Sequence, residues 1–449
     1  MSAFLIMDFT AAQTPPLTLG QAVDAAVQKY PAIRSSLEQV SAAAEGINLA
    51  RTAYLPRADA LAQVNRATHN NVFGMLLPQP VLPSISGPVL GTNGLGNVWG
   101  TAIGGTVTWE PFDFGLRQAN VKAATSVREQ LNAQVNVTKL QVAAAAADAF
   151  LTILAAQQTV TAARAGVDRA TVLNQTVETL VKNQLRPGAD ASRTRAELAL
   201  AQTQLIQAEA AVEVGRAALG QVLGVPPQTI NIESGPLLNL PSDQQIAALT
   251  ASNHPVAVAQ NLAIEEVKSR EKALDRSYFP RFYLQGTIYA RGTGIQPNGD
   301  TGNPVSGLGP NIQNWGLGMT VTFPIFDIAS IRVRKQIETH NERTEVARYD
   351  QILQDVTGQV ESARATLVGA QRVSQNTPIE LESARVTEQQ ATARYRTGLG
   401  NIVEVAEADR ILTQAEIDDA LAKLGVWRAL LRAAVAAGDV QPFVQQTLK

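Results

Sequence analysis

The feature that most constrains this chain is that it is written twice. Tyr30-Pro31 and His254-Pro255 each open an alanine-rich segment, and Pro56-Arg57 recurs as Pro280-Arg281, 224 positions on. Farther along, Thr106-Val-Thr-Trp109 with Phe112-Asp113 returns as Thr320-Val-Thr-Phe323 with Phe326-Asp327, now 214 positions on. A loop about ten residues longer in the first copy accounts for the change, because loops absorb insertions at little cost. Gly188 and Gly400, then Arg216-Ala217 and Arg428-Ala429, carry the match toward the ends of the copies. An internal repeat of this kind decides architecture before any local pattern does.

Within each copy the pattern runs helix, strand, strand, helix. Residues 116–186 contain no proline and a single glycine, Gly166, and their apolar residues recur at helical spacing. A continuous helix of that length spans on the order of 100 Å. The second long helix, about 330–396, is expected to be interrupted at Pro378, which aligns with Gly166, so both long helices are expected to share a bend. Return helices follow at about 191–223 and 402–437. The chain therefore divides into a signal remnant or disordered start (1–16), a first repeat (17–229, strands about 57–67 and 98–110), a linker (230–243), a second repeat (244–437, strands about 282–291 and 314–325) and a C-terminal tail (438–449).

The strands carry the chemistry. Trp99, Thr101, Ile103, Val107 and Trp109 fall on one face, opposite Gly100, Ala102, Gly104, Thr106 and Thr108. In the second copy Trp315, Leu317, Met319, Val321, Phe323 and Ile325 alternate with Asn314, Gly316, Gly318, Thr320 and Thr322, and Phe282, Leu284 and Ile288 alternate with Tyr283, Gln285, Thr287 and Tyr289. An aliphatic face ended by aromatics, opposite a face of Gly, Thr and Asn, is what a transmembrane barrel strand needs. A half-buried sheet of a soluble domain shows the same alternation. Four strands cannot close a barrel, so the membrane reading requires other chains to complete it.

Composition excludes more than it selects. A formal net charge of -2 offers no basic field to a nucleic acid, and the absence of cysteine removes disulfides, thiolate metal sites and an N-terminal lipidated cysteine. No run of 18 to 20 uncharged apolar residues stands out, the nearest being 142–156 with Asp148 inside it. His69, His254 and His340 are isolated, with no metal-ligand spacing, and His254 beside its proline reads as structural. The glycine-rich Gly91-Thr-Asn-Gly94-Leu-Gly96 lacks the helix and lysine of a phosphate cradle. Neither catalytic residues nor a cofactor site are expected. A soluble coiled-coil scaffold or an adaptor-like periplasmic protein remains the alternative, since long Ala/Gln-rich helices serve that role too.

The order of these motifs, with the Tyr-Leu/Phe-Pro-Arg strand starts and Tyr395-Arg-Thr-Gly398, resembles the TolC family of outer-membrane efflux proteins over about residues 17–437. The resemblance implies a mainly α fold with a small β part. It implies a homotrimer in which each chain gives four strands to a twelve-stranded transmembrane barrel and four long helical tracks to a periplasmic tunnel, passive and without cofactors. Its partners would be outer-membrane lipid, a periplasmic adaptor (membrane fusion protein) and an inner-membrane transporter. Trp99, Trp109, Trp315 and Phe323 would face lipid. Gly166, Pro378 and the segment 227–248 would belong to a waist around the tunnel. Two helix-turn tips, 184–190 and 395–401, would lie at the tunnel's closed end. There Glu404 and Glu407, three apart on one helix face, would form stacked carboxylate rings, joined by Tyr395 in the closed state. The same glutamates equally suit a helix N-terminus. Some relatives carry a basic residue where Gly400 stands, and an acid where Ser192 stands, with Asp190 close by. Gly188, Gly398 and Leu399 match tip positions that meet the adaptor, and are also ordinary turn residues.

Overall fold

The computed structural model describes residues 16–68, 95–241, 251–296 and 300–448. The N-terminal segment, His69, most of the first interstrand loop with its Gly91–Gly94, and part of the linker lie outside them. In chain order the elements are α1 (Leu19–Lys29), α2 (Pro31–Thr52), β1 (Arg57–Thr68), β2 (Asn97–Phe112), α3 (Leu116–Lys182), α4 (Gly188–Leu223), α5 (Pro255–Arg276), β3 (Arg281–Thr293), β4 (Ile312–Thr322), α6 (Ile328–Arg396), α7 (Ile402–Ala436) and α8 (Gln441–Gln446). The duplicated helix-strand-strand-helix order is present in both halves.

Packing divides the chain into two compact units, each drawing on both repeats. Among the described residues, one comprises 16–39, 132–241, 251–260 and 348–448; the other comprises 40–68, 95–131, 261–296 and 300–347. The first unit has a conventional apolar core. Leu19 and Val23 of α1, Phe150, Leu151 and Leu154 of α3, Leu219 of α4 and Leu424 and Trp427 of α7 are all buried in one cluster. α1 is held at its start by a capping box, in which Thr18 and Gln21 each satisfy the other's backbone N–H. The Trp427 indole N–H donates to the Asn239 carbonyl at 2.8 Å, and its ring meets Phe443 edge-on at 6.1 Å. The C-terminal tail is thus part of the core: α8 buries Phe443 and Val444.

Two expectations change here. α3 does contain one stretch long and apolar enough to cross a membrane by composition. Its centre is instead the core helix of this unit, with Ala146, Ala147, Phe150, Leu151, Ile153 and Leu154 buried among protein. Nor does Pro378 interrupt α6, which is helical from Ile328 to Arg396. One missing N–H removes a single hydrogen bond. The turns around it are fastened by packing: Thr377 donates to Asp419 at 3.3 Å, and Leu381 and Ala384 pack with Leu412 and Ala415. Gly166, its partner in the repeat, also lies within unbroken helix and serves close approach, because a Cβ there would lie 2.9 Å from the Thr413 hydroxyl on α7.

The second unit holds one four-stranded antiparallel sheet in the order β1-β2-β3-β4. Arg57 to Thr68 pair with Thr108 back to Asn97, and Arg281 to Arg291 pair with Thr322 back to Ile312. Between them β2 pairs β3 from Gly100↔Thr293 to Phe112↔Phe282, with a register shift between Trp109 and Phe112. Among the described residues, β1 and β4 are each hydrogen-bonded along one edge only.

Candidate functional site

The sheet is inverted relative to a soluble one. Its apolar face is exposed: Trp315 is 78% accessible, Ile288 71%, Met319 69% and Leu317 68%. Ile103, Val107, Trp109 and Phe323 are exposed as well, and Trp99 is half-buried under the Arg66 guanidinium, 5.1 Å from its ring. The opposite face buries polar groups, Thr106, Gln285 and Thr287 among them. They satisfy one another: the Thr106 and Thr287 hydroxyls are 3.3 Å apart, Thr287 donates to the Gly105 carbonyl at 3.1 Å and Gln285 to the Thr108 hydroxyl at 3.4 Å. A Cβ on Gly104 would collide with Tyr289, so that glycine makes room for the tyrosine opposite it. Trp109 follows Trp99 by ten residues, roughly 33 Å along a strand, or about 25 Å of height at the usual barrel tilt. The Trp109 N–H donates to the Tyr54 carbonyl at 3.1 Å, which fixes the lower end of that band.

The two tips belong to the first unit. α3 ends at Lys182 and reverses through Gln184, in the left-handed region at φ 59°, before the chain passes Pro187 into α4. α6 ends at Arg396 and reverses through Gly398 at φ 79°, where glycine carries no penalty. Asn401 then caps α7, accepting the Glu404 N–H at 3.0 Å. Gly188 opens α4, and Leu399 is 75% exposed at the second turn.

Tyr395 is buried between the tips, with Val177, Ala191, Ala391 and Val405 around it. Its hydroxyl lies 3.5 Å from the Asp190 carboxylate, the outer limit of a hydrogen bond, and burial together with that carboxylate pushes the phenol pKa up. Arg186 clasps the same residue twice, stacking over its ring at 4.5 Å and donating to its carbonyl at 2.9 Å. Asp190 and Arg186 are thus the charged residues that meet Tyr395, one on each side of the first turn. A Cβ on Gly400 would come within 3.1 Å of Arg394 and 3.2 Å of Glu404, so the glycine leaves room for the pair those residues form at 3.8 Å.

Both glutamates carry an arginine of their own chain. Glu404 accepts from the Asn401 amide at 3.0 Å and faces Arg394, so within one chain it completes a helix cap. Glu407 is held by Arg410 at 2.7 and 2.9 Å, and that guanidinium keeps its carboxyl below the usual range. About one turn farther along α7, Arg169 of α3 reaches across to Asp409 at 3.3 Å, Thr413 at 2.8 Å and Glu416 at 3.0 Å. Burial there pushes the Asp409 carboxyl up to about 6 despite the arginine, with Glu388 and Glu416 adding to the rise. Sequence reading missed Arg169, Arg186, Arg394 and Arg410; Gly166, which lets α7 approach α3, was the one signal near them.

His254 is structural. Its Nδ1 accepts from the Val256 N–H and its Nε2 faces the Val435 carbonyl at 3.3 Å, while burial lowers its pKa. Among the described residues no group of His, Asp and Glu is arranged to hold a metal ion.

Among the described residues, then, a sheet with its apolar face exposed and both edges unpaired is joined in sequence to very long helices. The family model described as Outer membrane efflux protein matches residues 22–225 and 249–439, and the chain belongs to that family. It is accordingly an outer-membrane protein with a periplasmic extension and a member of a channel-forming family, not an enzyme family. Solved structures share the fold. The outer-membrane channel OprN matches at TM-score 0.72 and 18% identity, over 94% of this chain and 89% of that one. The Campylobacter jejuni CmeC outer membrane channel matches at TM-score 0.74 and 15% identity over 99% and 94%. The Vibrio cholerae outer membrane protein VceC matches at TM-score 0.72 and 15% identity over 94% and 96%. No curated protein sequence matches the chain.

Proposed function

We propose that the chain is one protomer of a homotrimeric, passive channel-tunnel that exports solutes across the outer membrane as part of a tripartite efflux or type I secretion system. The observation that carries this reading is the inverted sheet with both edges open. In hydrocarbon an unpaired backbone group costs several kcal/mol, so β1 and β4 need partners, and β4 of one copy beside β1 of the next supplies them. Three copies make twelve strands, with Trp99, Trp109, Trp315 and Phe323 toward lipid and the threonine face toward water.

The tips form the entrance. Glu404 and Glu407, repeated in three copies, ring the aperture; their own arginines moderate the field but leave the carboxylates exposed to permeating cations. Tyr395, clasped by Arg186 and near Asp190, holds the tips together in the closed state. Gly188, Gly398 and Leu399 offer the turns to a periplasmic adaptor, and energy comes from an inner-membrane transporter through that adaptor. The test is single-channel conductance in a planar bilayer, comparing wild type with Glu404→Gln/Glu407→Gln across a salt gradient. Small stable steps whose cation preference falls in the variant support pore and gate; unchanged preference removes the gate assignment; folded protein without pores removes the channel.

A further inference from the structure

Just below the sheet, in the second unit, the first turns of α3 and the last turns of α5 enclose a groove of about 480 Å³. Gln118 and Lys122 line it from α3, four apart and so on one face; Lys272 and Arg276 line it from α5 at the same spacing. Among the described residues, no ion pair engages Lys122, Lys272 or Arg276. The acid beside them, Asp275, is taken by Lys335 at 2.7 Å. The groove is therefore a basic recess with its negative neighbour already neutralised.

Its upper wall is aromatic and continues onto the exposed face of the sheet. Phe114 stacks on Phe279 at 5.3 Å and meets Phe112 edge-on at 4.6 Å, and Phe112 meets Phe282 at 6.1 Å. The Arg276 guanidinium lies 5.9 Å from the Phe279 ring, at the boundary between the aromatic ledge and the basic recess. Lys122 lies six residues past Leu116, about 9 Å along α3 from its start, a distance on the order of one headgroup layer.

We infer that this groove binds the phosphate headgroup of a glycerophospholipid in the periplasmic leaflet, with its acyl chains rising along Phe112 and Phe282. A free phosphate would use the cations but has no use for an aromatic ledge continuous with the lipid-facing surface. The inference rests on the membrane placement of the sheet and not on export.

The experiment is native mass spectrometry of the purified full chain in mild detergent with added phosphatidylglycerol. Wild type is compared with Lys122→Gln/Lys272→Gln, and with Arg334→Gln/Arg343→Gln, which removes two exposed charges elsewhere in the same unit. Wild type should retain lipid at one site per chain, the groove variant should retain roughly tenfold less, and the control should match wild type. The single variants, Lys122→Gln and Lys272→Gln, should each give an intermediate loss, which keeps the test available if the double variant misfolds. Equal retention in all proteins, or no retention by wild type, overturns the site. Displacement of the lipid by millimolar inorganic phosphate overturns the lipid source and leaves a soluble-anion site. Conductance of the same preparations separates the two proposals: lipid retained without pores sinks the channel alone, and pores without retained lipid sink the headgroup site alone.

Discussion

The two units differ in where they put their large apolar side chains. In the helical unit Trp427 is 2% exposed, bonded to a carbonyl and packed on Phe443, and water is excluded from aliphatic side chains in the ordinary way. In the sheet unit Gln285 is fully buried while Trp315 and Leu317 stand exposed. On the function proposed above, the same hydrophobic effect explains both, because the strands meet lipid where the helical core excludes water.

The largest expected break of the contrast is Trp427→Ala. It removes a buried aromatic and leaves the Asn239 carbonyl without its donor, and should cost about 3–5 kcal/mol in denaturant unfolding. Next is Leu317→Arg on the exposed face, expected to cost about 2–4 kcal/mol of folding into lipid vesicles, against little cost for Thr320→Arg on the other face. Equal losses for the two arginines would mean the sheet has no lipid side. Thr320→Arg should instead shift ion preference toward anions in the bilayer recording.

A smaller effect concerns Asp409. Its pKa is raised to about 6 in the folded protein, above the unfolded value near 3.9, so between those values the native state holds the extra proton. Stability contributed by this group is therefore present at low pH and falls as pH rises through the window. Asp409→Asn should flatten the thermal stability profile between pH 4 and 7 by on the order of 2 kcal/mol; an unchanged slope would mean Arg169 keeps the carboxylate ionised throughout. The smallest is Asn401→Ala, which removes the α7 cap for about 1 kcal/mol, read as a lower melting temperature.

How much of this was legible follows from how far apart the cooperating residues lie. The strand faces were readable because alternation is local, and the duplicated pattern tied Thr106–Phe112 to Thr320–Phe326. The return helices were readable from proline and glycine at their ends. The arginine contacts were not: Arg186 reaches Tyr395 across 209 positions and Arg169 reaches Glu416 across 247, and charge alone does not name its partner. Pro378 misled because a helix breaker acts through one missing hydrogen bond, which tertiary packing of α6 on α7 outweighs. The burial of α8 was invisible because six residues carry no period.

The most direct test of the central claim, that open strand edges are closed by further copies of the chain, uses its lack of cysteine. Ala62→Cys on β1 is paired in turn with Leu317→Cys, Met319→Cys or Val321→Cys on β4, and the membrane-inserted protein is oxidised and run on a denaturing gel. One register should yield covalently linked trimers. Properly inserted protein that remains monomeric in every pairing would contradict the account.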